Sequence, residues 1–220
     1  MIRAVIFDMD GLMLDTEPLY RSAWQRAAKE FGYELSDALY ARLAGRNTGD
    51  AERMLVEEFG RDFPLRQFRI ACKRFDADEF SKGPIPKKTG LDKLLALLDH
   101  RHIPRAVATS TERSRALRSL SNAELLNGFT AVAAGDEVKN GKPAPDLFEL
   151  AARRLGVASS NCLVLEDLEP GVRAARSAGM LVYLVPDLHA PTVKVQELAS
   201  GVFDSLTAVA RHLERQLDGG

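Results

Sequence analysis

The chain has 220 residues, 45% hydrophobic and 28% charged, which excludes an intrinsically disordered polypeptide and fits one large domain or a domain carrying a small insert. Thirty basic side chains stand against 31 acidic ones, so no excess of either sign asks for nucleic acid or an anionic membrane as partner. Cys72 and Cys162 lack a CxxC spacing and read as buried reduced thiols, and no apolar run has the length of a signal peptide or a membrane span, so a soluble cytoplasmic protein is expected.

The first apolar run, Ala4 to Phe7, predicts a buried strand. From about Thr16 to Phe80 the patterns are helical and no strand is convincing. Leu19, Ala23, Ala27 and Phe31 share one face of a helix with Pro18 in its first turn, and helices at about 36–44, 50–59 and 65–80 follow. Gly45-Arg46-Asn47-Thr48-Gly49 is expected to break the second from the third. Gly83-Pro84-Ile85-Pro86 then makes a stiff return. From Leu91 onward strands and helices alternate. Strands are expected at Arg105 to Ala108, Ala131 to Ala133, Cys162 to Leu165 and Leu181 to Val185. Helices are marked by Leu91, Leu94, Leu95 and Leu98, then by Leu147 to Leu155 with a stop at Gly156, then by Pro170 to Gly179, and last by Leu206 to Leu217. This rhythm predicts an α/β fold, a doubly wound parallel sheet with right-handed crossovers. The expected division is a sheet domain of residues 1–15 and 83–220 and a helical insert of residues 16–82.

In such sheets chemistry gathers at the carboxyl ends of the strands, near a topological switch point. The residues there are Asp8 and Asp10 after the first strand, Thr109 and Ser110 after the second, Lys142 in Gly141-Lys142-Pro143-Ala144-Pro145-Asp146, and Glu166-Asp167. Taken singly each has an ordinary account: a turn, a strand-end hydroxyl, a solvated lysine, a charged loop. Taken together they put four carboxylates on one edge, where their repulsion calls for a hard divalent cation. All-oxygen donors without Cys or His favour Mg2+ over zinc.

Phe7-Asp8-Met9-Asp10-Gly11 with Asp15-Thr16-Glu17-Pro18, then Thr109, the Lys142 segment, and Glu166-Asp167 with Gly171 resemble, in order, the four motifs of the haloacid dehalogenase (HAD) superfamily of phosphohydrolases. The helical insert is similar to the cap domain of its β-phosphoglucomutase-like branch. The resemblance spans residues 4 to 186, and Leu168-Glu169 depart from the small residues relatives tend to have after the acidic pair. It implies a HAD-like, Rossmannoid core and a Mg2+-dependent phosphatase of small phosphorylated metabolites, of sugar phosphate or nucleoside monophosphate type, working as a monomer. Asp8 is then the nucleophile that forms an aspartyl-phosphate, and Asp10 the acid/base. Thr109 and Ser110 bind the phosphoryl oxygens, and Lys142 places positive charge on them. The cation is held by Asp8, the Asp10 carbonyl and Asp167, with Glu166 close by. Arg46 and Asn47 are the expected substrate contacts from the cap.

Three rivals remain. A phosphomutase of the same branch shares the site, but the histidine that opens its first cap helix is replaced here by Tyr20. A phosphoacceptor signalling domain would carry its aspartate on a middle strand and lack the insert. A dehalogenase has no use for Asp10. Elsewhere, His100-x-His102 reads as two solvated imidazoles, Lys87-Lys88 as a solvated linker edge, and Trp24 as core of the insert.

Overall fold

The structure is a computed structural model and describes residues 1–44, 48–187 and 190–218. Chain order runs β1 (Ala4–Phe7), α1 (Glu17–Glu30), α2 (Asp37–Leu43), α3 (Thr48–Phe59), α4 (Leu65–Glu79), α5 (Leu91–His100), β2 (Arg105–Thr109) and α6 (Arg113–Asn122). It continues with β3 (Ala131–Ala134), α7 (Asp146–Leu155), β4 (Cys162–Glu166), α8 (Glu169–Ser177), β5 (Leu181–Leu184), α9 (Val193–Leu198), β6 (Gly201–Val202) and α10 (Leu206–Asp218). No helix among the described residues is long and apolar enough to cross a membrane.

The chain divides into two compact units, Met1–Asp15 with Ile85–Gly220, and Thr16–Pro84. The first is a six-stranded parallel sheet in the order β3-β2-β1-β4-β5-β6. Every residue of β1, β2 and β4 is buried, which is why these segments read as unbroken apolar runs: both faces are covered. One covering layer packs Leu147, Phe148 and Ala151 of α7 and Val172 and Ala175 of α8 against Ile6, Ala106 and Val164. Burial of each large side chain contributes about 1.5–3 kcal/mol. The chain winds outward from β1 through β2 to β3, then crosses back to β4 on β1's other side. That reversal makes β1 and β4 the switch-point pair.

The second unit is the helical insert, α1 to α4. Trp24 lies edge-on to Tyr40 at 5.9 Å and to Phe68 at 5.7 Å between ring centroids, within a core that also holds Leu39, Leu43, Leu55 and Phe63. Buried Glu79 of α4 accepts from Ser22 (2.8 Å) and Arg26 (2.7 Å) of α1 and pairs with Lys82 (2.8 Å).

Several expectations are corrected. Thr48 and Gly49 belong to α3 rather than to a break before it, while Gly45, Arg46 and Asn47 lie outside the described residues. Strands β2, β3 and β4 each run one residue further than their apolar runs, and β5 stops at Leu184, where Val185 N–H turns to Glu166 O at 2.7 Å. Lys88 is not a solvated linker edge. Its side chain is only 23% exposed, and its ammonium joins Asp15 Oδ1 at 2.9 Å and Asp187 Oδ1 at 2.6 Å. Beside it the two passages of chain between the units run together: Leu14 bridges Lys87, Asp15 N–H donates to Pro86 O at 2.8 Å, and Lys88 N–H to Met13 O at 2.8 Å. His100 and His102 are exposed at the end of α5, as read.

Candidate active site

The site grows out of the ends of β1, β2 and β4 and the segment before α7. Asp8 follows β1 directly, and its N–H donates to Leu165 O of β4 at 3.0 Å, which continues the sheet by one residue. The chain then turns back on itself: Met13 and Leu14 N–H both donate to Met9 O at 3.0 Å. Gly11 makes the turn with φ at 85°, and a side chain there would collide with the Asp167 carboxylate. Asp8 is buried and Asp10 half-buried.

Lys142 enters from before α7, its side chain 7% exposed. It donates to Asp8 Oδ1, to Glu166 Oε1 at 2.6 Å and to Ala108 O at 3.2 Å. An ammonium has three hydrogens, and all three are engaged. Burial pulls its pKa down, but the Asp8 and Glu166 carboxylates hold it above the ordinary lysine value, so it is charged. Glu166 Oε2 accepts from the N–H groups of Asp167 (3.0 Å) and Leu168 (3.2 Å), fixing the loop after β4. Gly171, at the start of α8, is required because any Cβ there would overlap the Glu166 carboxylate.

Asp8, Glu166 and Asp167 each present an oxygen within 4.8 Å of the others, and all three are buried. Burial drives the Asp8 and Asp167 carboxyls above the ordinary aspartate range, Asp8 against the pull of Lys142 and Asp167 with Glu166 adding to the rise. One ammonium cannot balance three buried carboxylates if all are ionised, and the raised pKa values express that strain. Asp167 Oδ1 is moreover buried without a hydrogen-bond partner among the described residues, a costly state for a carboxylate oxygen. A hard cation satisfies both conditions, so the residues fit a Mg2+ ion.

Thr109 is buried at the end of β2; its Oγ1 accepts from Thr111 N–H at 3.1 Å and stands 3.5 Å from Asp10 Oδ2. Ser110, next in the chain, is exposed. The expected residues Asp8, Lys142, Glu166 and Asp167 are thus brought together, with Asp10 and Thr109 in contact beside them. Arg46 and Asn47 lie outside the described residues. Two residues escaped the reading. Thr111 Oγ1 donates to Asp10 Oδ2 at 2.8 Å. Gly135, after β3, donates its N–H to Thr111 O at 3.0 Å, and a side chain on it would collide with the Ser110 backbone. The short polar stretch Thr109-Ser110-Thr111 was their one visible signal.

The family model for haloacid dehalogenase-like hydrolases matches residues 5–185, a span that takes in every one of these site residues. The chain belongs to that family. Its relatives include the phosphorylated carbohydrates phosphatase of Thermotoga maritima, 35% identical over 81% of this chain and 82% of that one. The fructose-1-phosphate phosphatase of Escherichia coli is 36% identical over 80% and 92%. The (DL)-glycerol-3-phosphatase 2 of Arabidopsis thaliana is 37% identical over 93% and 88%. Among solved structures, a Thermotoga maritima protein provisionally named a β-phosphoglucomutase aligns with a TM-score of 0.81 and 31% identity, covering 97% of this chain and 99% of its own. This HAD-family chain is an enzyme of the phosphatase type.

Proposed function

We propose that the protein is a Mg2+-dependent phosphatase of small phosphorylated metabolites, sugar phosphates foremost, acting through an aspartyl-phosphate on Asp8. The observation that carries this reading is Asp8 on the switch-point strand, held by Lys142 beside a carboxylate with an unpartnered oxygen. Named relatives act on fructose 1-phosphate and glycerol 3-phosphate.

In this reading Asp8, Asp167 and the Asp10 carbonyl would hold the cation, with Glu166 behind them. Mg2+, when bound, neutralises charge between carboxylate and phosphate. Lys142 fixes the Asp8 carboxylate and keeps a positive charge within reach of the transferring group. Thr109 Oγ1 and the backbone around Ser110 offer donors to the phosphoryl oxygens. Asp8 attacks phosphorus in line, and Asp10 gives a proton to the departing alkoxide. Asp10 then takes a proton from the water that opens the aspartyl-phosphate.

The deciding experiment is a panel of sugar phosphates, glycerol phosphates and nucleoside monophosphates with Mg2+, scoring both free phosphate and isomerised ester, with Asp8→Asn in parallel. Phosphate release is expected to exceed isomer formation, and Asp8→Asn to lose several orders of magnitude in rate while remaining folded. Retained activity in a folded Asp8→Asn protein removes the nucleophile. The resemblance to the provisionally named mutase keeps a second reading in view: isomer accumulating faster than phosphate makes the protein a phosphomutase. Tyr20 packs its ring on Phe80 at 5.4 Å within the helical unit, an ordinary packing role that does not bear on the choice.

A further inference from the structure

An aspartic acid that gives up a proton must be held in place to do so, and the loop after β2 takes hold of Asp10. Thr111 Oγ1 donates to Asp10 Oδ2 at 2.8 Å. The donor is itself held on both sides. Thr111 N–H donates to Thr109 Oγ1 at 3.1 Å, and Thr111 O accepts from Gly135 N–H at 3.0 Å. Gly135 lies so close that a Cβ on it would strike the backbone of Ser110. A threonine side chain is also stiff at χ1, so a fixed backbone fixes the hydroxyl.

We propose that Thr111 is a positioning residue for Asp10: by donating to Oδ2 it sets the orientation in which the carboxyl gives up and takes back the transferred proton. The inference rests on the acid/base reading of Asp10. A hydroxyl that donates to one carboxyl oxygen fixes the rotation of the whole group. As the bond from Asp8 to phosphorus forms and the ester P–O bond breaks, the Asp10 proton passes to the leaving oxygen. In the second half-reaction Asp10 takes a proton from water, whose oxygen bonds to phosphorus while the bond to Asp8 breaks. Inorganic phosphate leaves, and both aspartates return to their starting states.

The test uses leaving groups. An alkyl ester such as glycerol phosphate departs as an alkoxide that needs a proton, whereas 4-nitrophenyl phosphate departs as a stable phenolate. The ratio kcat/KM reports events up to transfer onto Asp8, so later water attack does not blur it. Thr111→Val is expected to lower kcat/KM by roughly 10- to 100-fold on the alkyl ester and by less than about 3-fold on the aryl ester. Thr111→Ser, which keeps the donor, is expected to recover most of the loss. Thr111→Ala, which cannot crowd the loop, must show the same split. Equal losses on both esters mean that Thr111 holds substrate or loop rather than Asp10 and overturn the proposal, as does no loss on either. The alkyl ester used is whichever member of the substrate panel the wild-type enzyme hydrolyses, and an enzyme that hydrolysed no member of that panel would instead bring down the phosphatase reading beneath the proposal.

Discussion

The three hydrogens of Lys142 and the two oxygens of Glu166 are all engaged, and one oxygen of Asp167 is not. This asymmetry separates two neighbouring carboxylates that the sequence presents as a pair. Asp167→Ala is expected to weaken Mg2+ binding by about 10- to 100-fold and to leave metal-free stability unchanged or raised, because it removes a buried oxygen without a partner. Glu166→Ala is expected to weaken Mg2+ binding less but to cost about 1–3 kcal/mol of stability, because it strips partners from Lys142 and from two amides. Calorimetric Mg2+ titration and urea unfolding in chelator check this, and equal Mg2+ affinities in the two variants sink it. At this scale the sequence displayed residues whose position announces them: Asp8, Thr109 and Glu166 each stand where an apolar run stops. It hid those whose role depends on a partner far along the chain. Thr111 reads as an ordinary polar residue before a helix until Asp10 appears next to it, and nothing in Asp15, Lys88 or Asp187 alone shows that they meet.

Two elements are tied down by carboxylates with depressed pKa values. Glu137, beyond β3, is brought to about 2, chiefly by Arg154 and also by the Ala134 amide and Arg113. Glu79 of α4 is likewise brought to about 2, by Lys82 first and then by Ser22 and Arg26. A carboxyl with a lowered folded pKa binds fewer protons folded than unfolded. Its contribution is complete above the unfolded value of about 4.5 and is lost as pH falls toward about 2. Stability is therefore expected to drop between those two pH values, and Glu137→Gln and Glu79→Gln to flatten the drop in urea midpoints measured at stepped pH. An unchanged profile in both variants would show that these pairs do not carry the acid sensitivity. Element legibility followed burial. The apolar signal was strongest in β1, β2 and β4, where both faces are covered. It was faint in α6, a Ser- and Arg-rich helix with only Ala116, Ser119 and Leu120 buried, and in β6, two residues on the sheet edge, and neither was anticipated.

At the scale of the whole molecule, a doubly wound parallel sheet and the placement of a strandless stretch after β1 were legible because alternating strands and helices admit few windings, whereas the order of the six strands was not anticipated. The side-by-side run of the two passages was not, since it depends on contacts between residues some seventy positions apart, such as Leu14 and Lys87. That neck has a consequence for how the protein can be cut. A segment that departs and returns through hydrogen-bonded neighbours is a detachable loop of the sheet domain, whose two ends are already joined without it. Replacing Thr16–Pro84 by a few Gly and Ser residues between Asp15 and Ile85 asks for almost no further loop closure. The miniature protein is expected to unfold cooperatively, with circular dichroism showing the sheet and its helices retained. Loss of a cooperative transition would mean that the neck cannot close without the helical unit. If it holds, Asp15 and Ile85 mark a graft junction where a different folded unit can be seated on the same sheet domain.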